Sequence, residues 1–332
     1  MERRSFPRLM AGLILVVLAV MLFSACGSGP ALPTPTRLPT ATPTPRSTPL
    51  PEVPTPIPLA TEDNPLTILM LPQGNRANAR EAASTLEEQI LTLYGLTVDI
   101  QLVNSYGEIV AQLCGATPVV GWVDGFSYIV AGAQGCGDPE MRIERDGQTG
   151  FQVDLLVSAE LRAGGIAALA DQTLCRLNSQ DVASWLVPGL MLRADGVNPL
   201  YDLETVADVE SYDALVTAIY NEDCQAGGVP HGYLDDVGAE VAALEDLSER
   251  VLVLDVSPEI PYDILVYPQT VPLNVRIPLN DAFMQIAAER RSARTLAIIL
   301  NQDRLERVDR SNFAAFNAFM ASTGLNFAAL GQ

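Results

Sequence analysis

The chain has 332 residues with 40 acidic and 20 basic side chains, a formal net charge of −20 and a pI near 4.3. The basic residues do not cluster, so this acidic chain carries no electrostatic footprint for nucleic acid, and its surface repels anionic lipid headgroups. Such a length, rich in Leu, Val, Ile and Ala, suffices for one large core or two modest ones.

The amino terminus opens on the basic stretch Met1–Arg8, continues as an apolar run from Leu9 to Phe23 and ends in small residues before Cys26. The run is short for a spanning helix and has no basic stop-transfer flank, so residues 1–25 read as a signal peptide. Phe23-Ser24-Ala25-Cys26 resembles the bacterial lipobox, with Phe23 where an aliphatic residue is usual. That resemblance implies a mature protein beginning at a diacylated, palmitate-type Cys26. Each buried methylene adds about 0.8 kcal/mol of anchoring. An ordinary secretory signal is the alternative, but it leaves a free thiol at the cleavage site.

Residues 26–64 are dominated by Pro, Thr, Ser and Ala. Proline at this density precludes helix and favours an extended spacer, able to hold a domain on the order of 100 Å from the lipid at about 3.1 Å per residue. Beyond Cys26 the cysteines are Cys114, Cys136, Cys175 and Cys224. Their spacing fits no zinc motif, and an even count in an exported chain favours disulfides. Three connectivities are open, and chain order favours Cys114 with Cys136 and Cys175 with Cys224.

Pro65–Pro72 reads as a buried strand and 77–94 as a helix with Ala82, Leu86, Ile90 and Leu93 near one face. Leu96–Val103 alternates as a strand, Ser105 caps a helix through Leu113, and Pro118–Val123 is a third strand. An antiparallel pair, Met141–Arg145 with Phe151–Ser158, follows. The alternation then resumes: strand Thr173–Leu177, helix Val182–Leu192, strand Glu204–Ala207, helix Tyr212–Tyr220 and strand Cys224–Val229. Late strands fall at Arg250–Val256 and Ile264–Tyr267, and from Leu279 onward the pattern is helical.

Such alternation predicts an α/β fold of two lobes, each a mixed, mostly parallel sheet flanked by helices, with a ligand cleft between them. Residues 65–155 and 258–332 form the expected first lobe and 156–257 the second. The pocket is expected in the loops after the strands.

Six segments resemble, in order, landmarks of the phosphonate and phosphate class of ABC-importer substrate-binding proteins: Pro65–Pro72, Asn104-Ser-Tyr-Gly-Glu-Ile-Val110, Gly121-Trp-Val-Asp-Gly-Phe-Ser-Tyr128, Arg145-Asp-Gly147, Trp185-Leu-Val-Pro188 and Pro258-Glu-Ile-Pro-Tyr-Asp263. The resemblance covers roughly Pro65 to Pro268. It implies a periplasmic binding protein of the second type, a monomer that closes on a solute and delivers it to a membrane permease. It also implies ligand contacts from Tyr106 and from Tyr128, with Ser127 beside it. The family's Ser-Thr-Ser-Gly anion-gripping turn aligns with Asp181-Val182-Ala183-Ser184, and its histidine with Tyr212, next to Asp213.

The departure at Asp181 matters, because an oxyanion needs hydroxyl and amide donors at a helix amino terminus and Asp181 adds negative charge there. Asp181 also suits a helix cap. The ligand is therefore expected to be less anionic than a phosphonate, or absent. His231, the only histidine, is either a cleft contact or a loop residue. Tyr106 and Tyr128 are cleft contacts or packing residues. No nucleophile elbow, phosphate loop or zinc-protease motif is present, so neither enzyme, cofactor nor metal is expected. Two functions remain: a solute-binding lipoprotein of an importer, and a sensor or scaffold keeping the fold without transport.

Overall fold

The computed structural model describes residues 57–330. The signal peptide, Cys26 and most of the Pro/Thr stretch lie outside these residues. The chain joins the fold within the expected stalk: Ala60 is buried in the first core, and its carbonyl accepts from Thr97 N at 2.9 Å.

In chain order the elements are β1 (Leu66–Met70), α1 (Arg76–Tyr94), β2 (Val98–Leu102), α2 (Tyr106–Leu113), β3 (Val119–Val123), α3 (Gly125–Ala133), β4 (Asp138–Glu144), β5 (Gly150–Phe151) and β6 (Val153–Ser158). Then come β7 (Thr173–Arg176), a π-helical turn (Val182–Leu186) running into α4 (Val187–Ala194), β8 (Thr205–Asp208), α5 (Tyr212–Tyr220), β9 (Ala226–Pro230), α6 (Ala239–Ala242), α7 (Leu247–Arg250) and β10 (Val251–Val256). The chain ends with β11 (Ile260–Pro261), β12 (Ile264–Tyr267), α8 (Leu273–Ala288), α9 (Ala293–Leu300), β13 (Arg304–Arg307) and α10 (Ala314–Ser322).

Two mixed sheets result. One has the order β13-β4-β12-β3-β1-β2, the other β10-β6-β9-β7-β8. The two-residue strands β5 and β11 pair antiparallel where the chain passes between them. Gly150 makes this crossing possible, because a Cβ there would meet the Ile260 carbonyl oxygen at 2.3 Å. In each sheet the inner parallel strands, β1 and β3 or β7 and β9, are largely buried between helices, while the edge strands β2 and β8 are partly exposed.

Several expectations are corrected. Met141–Arg145 and Phe151–Ser158 do not pair: β4 belongs to the first sheet and β6 to the second, because β5 carries the chain across between them. The helix expected from Leu279 begins at Leu273, with Pro278 inside it. Pro278 forfeits one backbone bond, which the buried row Val275, Leu279, Ala282, Phe283 and Ile286 offsets. The region expected to be all helix also contains β13, an edge strand with Leu305 as its only buried residue. α10 spans both cores: Phe313, at its start, packs with Val123 and Tyr128, while Phe316 and Met320 pack with Val153, Val187 and Met191.

Cys114 is bonded to Cys136 and Cys175 to Cys224, the order favoured by the sequence. Their Cα atoms lie 5.1 and 5.8 Å apart, within the range that a disulfide spans. The first ties the end of α2 to the loop after α3; the second ties β7 to the loop before β9. The bridges close separations of 22 and 49 residues, and loops of that size confer about 2–4 kcal/mol each, more for the longer. Double Cys→Ala replacement at 175 and 224 is expected to lower Tm further than replacement at 114 and 136, as read by calorimetry.

Candidate functional site

In both sheets the parallel strands end on the same side as the crossing strands, and each following helix starts with a capping side chain. Ser105 accepts from Glu108 N at 3.2 Å, Asp124 from Ser127 N at 2.7 Å, Asp181 from Ser184 N at 2.6 Å and Ser211 from Ala214 N at 3.1 Å. These caps place Tyr106, Ser127, Ser184 and Tyr212 on the first turns of their helices, where the cleft of an open α/β sheet lies.

On the first sheet's side, Tyr106 Oη donates to Asp263 Oδ1 at 2.7 Å and accepts from Gln73 Nε2 at 2.8 Å. Asp263, at the start of β12, is 3% exposed, and its Oδ2 makes no hydrogen bond. The nearest cation is Arg145, whose Nη2 lies 3.6 Å from that oxygen. Arg145 also donates to the carbonyls of Asn301 and Leu300 at 2.7 and 2.9 Å, and stacks over Tyr262. Burial pushes the Asp263 carboxyl up to about 6, against the opposing pull of Tyr106 and Arg145, with the Asp124 charge adding to the rise. Asp124 is raised as well, again by burial, while its bonds to Ser127 oppose the rise. Tyr106 is raised by burial and by the Asp263 charge, so it stays a neutral donor.

Tyr128 points elsewhere. It is 5% exposed and packs 5.1 Å from the Phe313 ring beneath the first sheet.

On the second sheet's side Asp181, Tyr212 and Ser184 are brought together. Tyr212 Oη donates to the Asp181 oxygens at 3.1 and 3.3 Å. Ser184 is fully buried, and its Oγ accepts from Leu177 N at 2.9 Å. Gly228 lets the π-helical turn sit on β9, since a Cβ there would meet Ala183 O at 2.1 Å. Pro188, which has no N–H to reach back to Ser184, opens the following helix, consistent with the shift to wider bonds in this turn. Asp213 accepts from Tyr233 Oη at 2.8 Å and from Gly238 N at 3.1 Å, and the Tyr212 and Tyr233 rings lie 5.3 Å apart.

His231 follows β9. Its Nδ1 lies 2.7 Å from Oδ1 of Asp154, a residue 3% exposed whose Oδ2 accepts from Gly232 N at 3.0 Å. The imidazole edges a cavity of about 370 Å³ beside the crossing strands, with Thr149, Gln152 and Glu259. Among the described residues no hydrogen bond found joins the Tyr106 group to the Asp181 group, so the two remain on separate walls. No cluster of three His, Cys, Asp or Glu side chains able to hold a metal ion is found among the described residues.

Sequence reading did not single out Gln73, Asp124, Arg145, Asp154, Tyr233 or Asp263. Asp124 carried a usable signal, an Asp-Gly directly after an apolar strand. Arg145 and Asp263 stood in segments that carried the family resemblance, though not as site residues, and Asp154 carried no signal, because its partner is distant in the chain.

Two sheets joined by crossing strands, with capped helix starts facing each other, define a two-lobed periplasmic binding protein of the second type. Residues 68–313 match the family described as ABC transporter, phosphonate, periplasmic substrate-binding protein, and the chain belongs to that family. In structure it is similar to a Xanthomonas citri protein solved bound to ATP (TM-score 0.53, 13% identity, 78% of this chain and 96% of that one) and to the same protein bound to chloride (TM-score 0.53, 14% identity, 78% and 97%). It is also similar to a binding-protein component of an ABC phosphonate transporter from Pseudomonas aeruginosa (TM-score 0.47, 14% identity, 80% and 88%). No curated protein matches the sequence.

The raised Asp263 carboxyl makes the folded protein bind a proton that the unfolded chain has already released between pH 4 and 6. Its stabilising contribution is therefore full below about pH 4 and is lost as pH rises through about 6. The difference in unfolding free energy between Asp263→Asn and wild type, followed by denaturant titration, is expected to move by about 2–3 kcal/mol in favour of the variant from pH 4 to pH 7. A flat difference would contradict the burial argument.

Proposed function

We propose that this chain is the solute receptor of an ABC importer, tethered outside the cell membrane by a lipid on Cys26 and handing its ligand to a membrane permease. The observation that carries the reading is the pair of facing walls built from strand ends and capped helix starts on either side of the β5/β11 crossing. Such walls close on a small ligand by rotation about the crossing strands. The family is one of substrate binding.

In the family, oxyanions are the expected cargo, but here the helix start that would grip them is altered. The Asp181 carboxylate takes the Ser184 amide and the Tyr212 hydroxyl, donors that an incoming oxyanion would need. Val182 and Ala183 add no side-chain donor, and the Ser184 hydroxyl, which accepts from Leu177 N, is fully buried. The solute is accordingly less anionic than a phosphonate.

Asp181→Ser keeps a capping side chain and removes the charge. Isothermal titration with methylphosphonate is expected to show affinity rising by about tenfold or more over wild type. Equal binding by both proteins would contradict the role given to Asp181. For the tether, Cys26→Ala is expected to move the protein from the membrane fraction to the soluble one and abolish labelling by radioactive palmitate.

A further inference from the structure

We propose that the outer face of α1, α8 and α9 docks on the anionic lipid surface to which the tether holds the protein. The inference rests on the tether proposed above and adds the orientation that the domain takes there. Its starting point is ion pairing. Eight of the described arginines, among them Arg142, Arg176, Arg276 and Arg307, pair with carboxylates. Of the remaining seven, four stand on one surface: Arg80 on α1, and Arg290, Arg291 and Arg294 where α8 turns into α9, all exposed. In a chain with 40 acidic and 20 basic side chains, guanidinium groups that find no carboxylate are out of keeping with the composition.

The four belong to one layer. α1 buries Leu86 and Ile90, α8 buries Leu279 and Phe283, and α9 buries Leu296 and Ile299, all in the same core, so the opposite sides of the three helices face away from it together. Tyr94 Oη donates to Gln285 Oε1 at 3.2 Å and Gln73 N to Ile299 O at 3.0 Å, which joins α1 to both neighbours. The same outward side carries Leu91, Leu273, Ile277 and Ile298, between 39 and 66% exposed. Arg294 and Ile298 lie one turn apart on α9. Guanidinium groups beside exposed aliphatic side chains are the composition of a surface seated at headgroup level.

The tether enters this same lobe. Leu59 and Ala60 pack on the core beneath these helices, and only residues 27–56 separate Cys26 from Ile57. Tethering keeps the face at high effective concentration beside lipid, so weak docking suffices. Net charge opposes docking, but the charge is unevenly spread. Residues 156–257 hold 18 carboxylates against 4 arginines, a balance of 4 − 18 = −14. They lie in the other lobe, and a helix layer about 10 Å thick already exceeds the roughly 8 Å over which charges act at physiological salt. At the lipid surface the local arginines therefore outweigh the distant carboxylates. A second copy could offer carboxylates in such density only from its other lobe, a head-to-tail contact that does not close. A lipid surface meets all four arginines at once.

The test uses the full-length lipoprotein anchored in vesicles of phosphatidylcholine, with or without phosphatidylglycerol. An environment-sensitive fluorophore is placed on Ser84→Cys in α1 or on Ser248→Cys in α7, both exposed. With phosphatidylglycerol the label at position 84 is expected to shift its emission to the blue, the label at 248 to stay unshifted, and raised salt to reverse the shift. Each arginine at an anionic headgroup is worth about fivefold, so Arg290→Gln, Arg291→Gln and Arg294→Gln together are expected to lower the ratio of docked to free domain by about 100-fold. The Tm of this variant shows whether it folds, and the lipid and salt comparisons on wild type stand without it. Equal emission in both vesicles, or a shift untouched by salt and by the triple variant, overturns the inference and leaves the tether standing. A shift that grows with protein density on phosphatidylcholine alone identifies a second copy as the occupant and overturns it too. Failure to float with either vesicle overturns the tether and the inference together.

Discussion

Four residues, Gly150 and Phe151 against Ile260 and Pro261, set the form of this protein. They are the strand pairing where the chain passes from one sheet to the other and back, and bonds from Tyr262 N to Thr149 O and from Ser257 N to Val153 O extend the stitch on either side. The close approach tolerates no side chain at position 150. Because the two passages lie side by side, the proposed closure would turn the sheets about them while each core stays intact. Interiors packed this densely move as bodies. α10 adds a third connection, with Phe313 in one core and Phe316 in the other.

The crossing also decides what the walls of the cleft present. Parallel strands that end toward it deliver helix starts, and helix starts need capping oxygens for their free amides. In this chain those caps include two serines and two aspartates, Ser105, Ser211, Asp124 and Asp181, beside Asn75 at the start of α1. The same residues that complete the helices thus give the cleft its acidic character. At Asp181 capping and anion binding compete for the same amides, and the cap is covalently present.

Much of this was legible in the sequence. Period-two and period-3.6 patterns located β1 to β3, α1, α5 and β12, since strands buried on both faces and amphipathic helices must show them. Ser105 announced its helix, and cysteine order matched the bridges formed. Other features left no local trace. β13, Arg-Leu-Glu-Arg, is an edge strand with a single buried residue, so no alternation could reveal it. The first turn and a half of α8 went unread, since Pro278 lies inside the helix and proline is disfavoured there. The sequence placed Tyr106 and Tyr128 alike, yet one meets Asp263 and the other packs on Phe313. Only the positions of β12 and α10, more than a hundred residues downstream, separate them.

The account stands on a cleft that closes about the crossing strands. Its most direct test is the distance between spin labels placed on Leu91→Cys in α1 and Leu200→Cys in the loop after α4, both exposed, with the four native domain cysteines held in disulfides. Measured by double electron–electron resonance, that distance is predicted to shift and narrow to a single shorter value when a solute that raises Tm is added to saturation. An unchanged distance distribution with solute demonstrably bound would contradict hinge closure as the working motion of this protein.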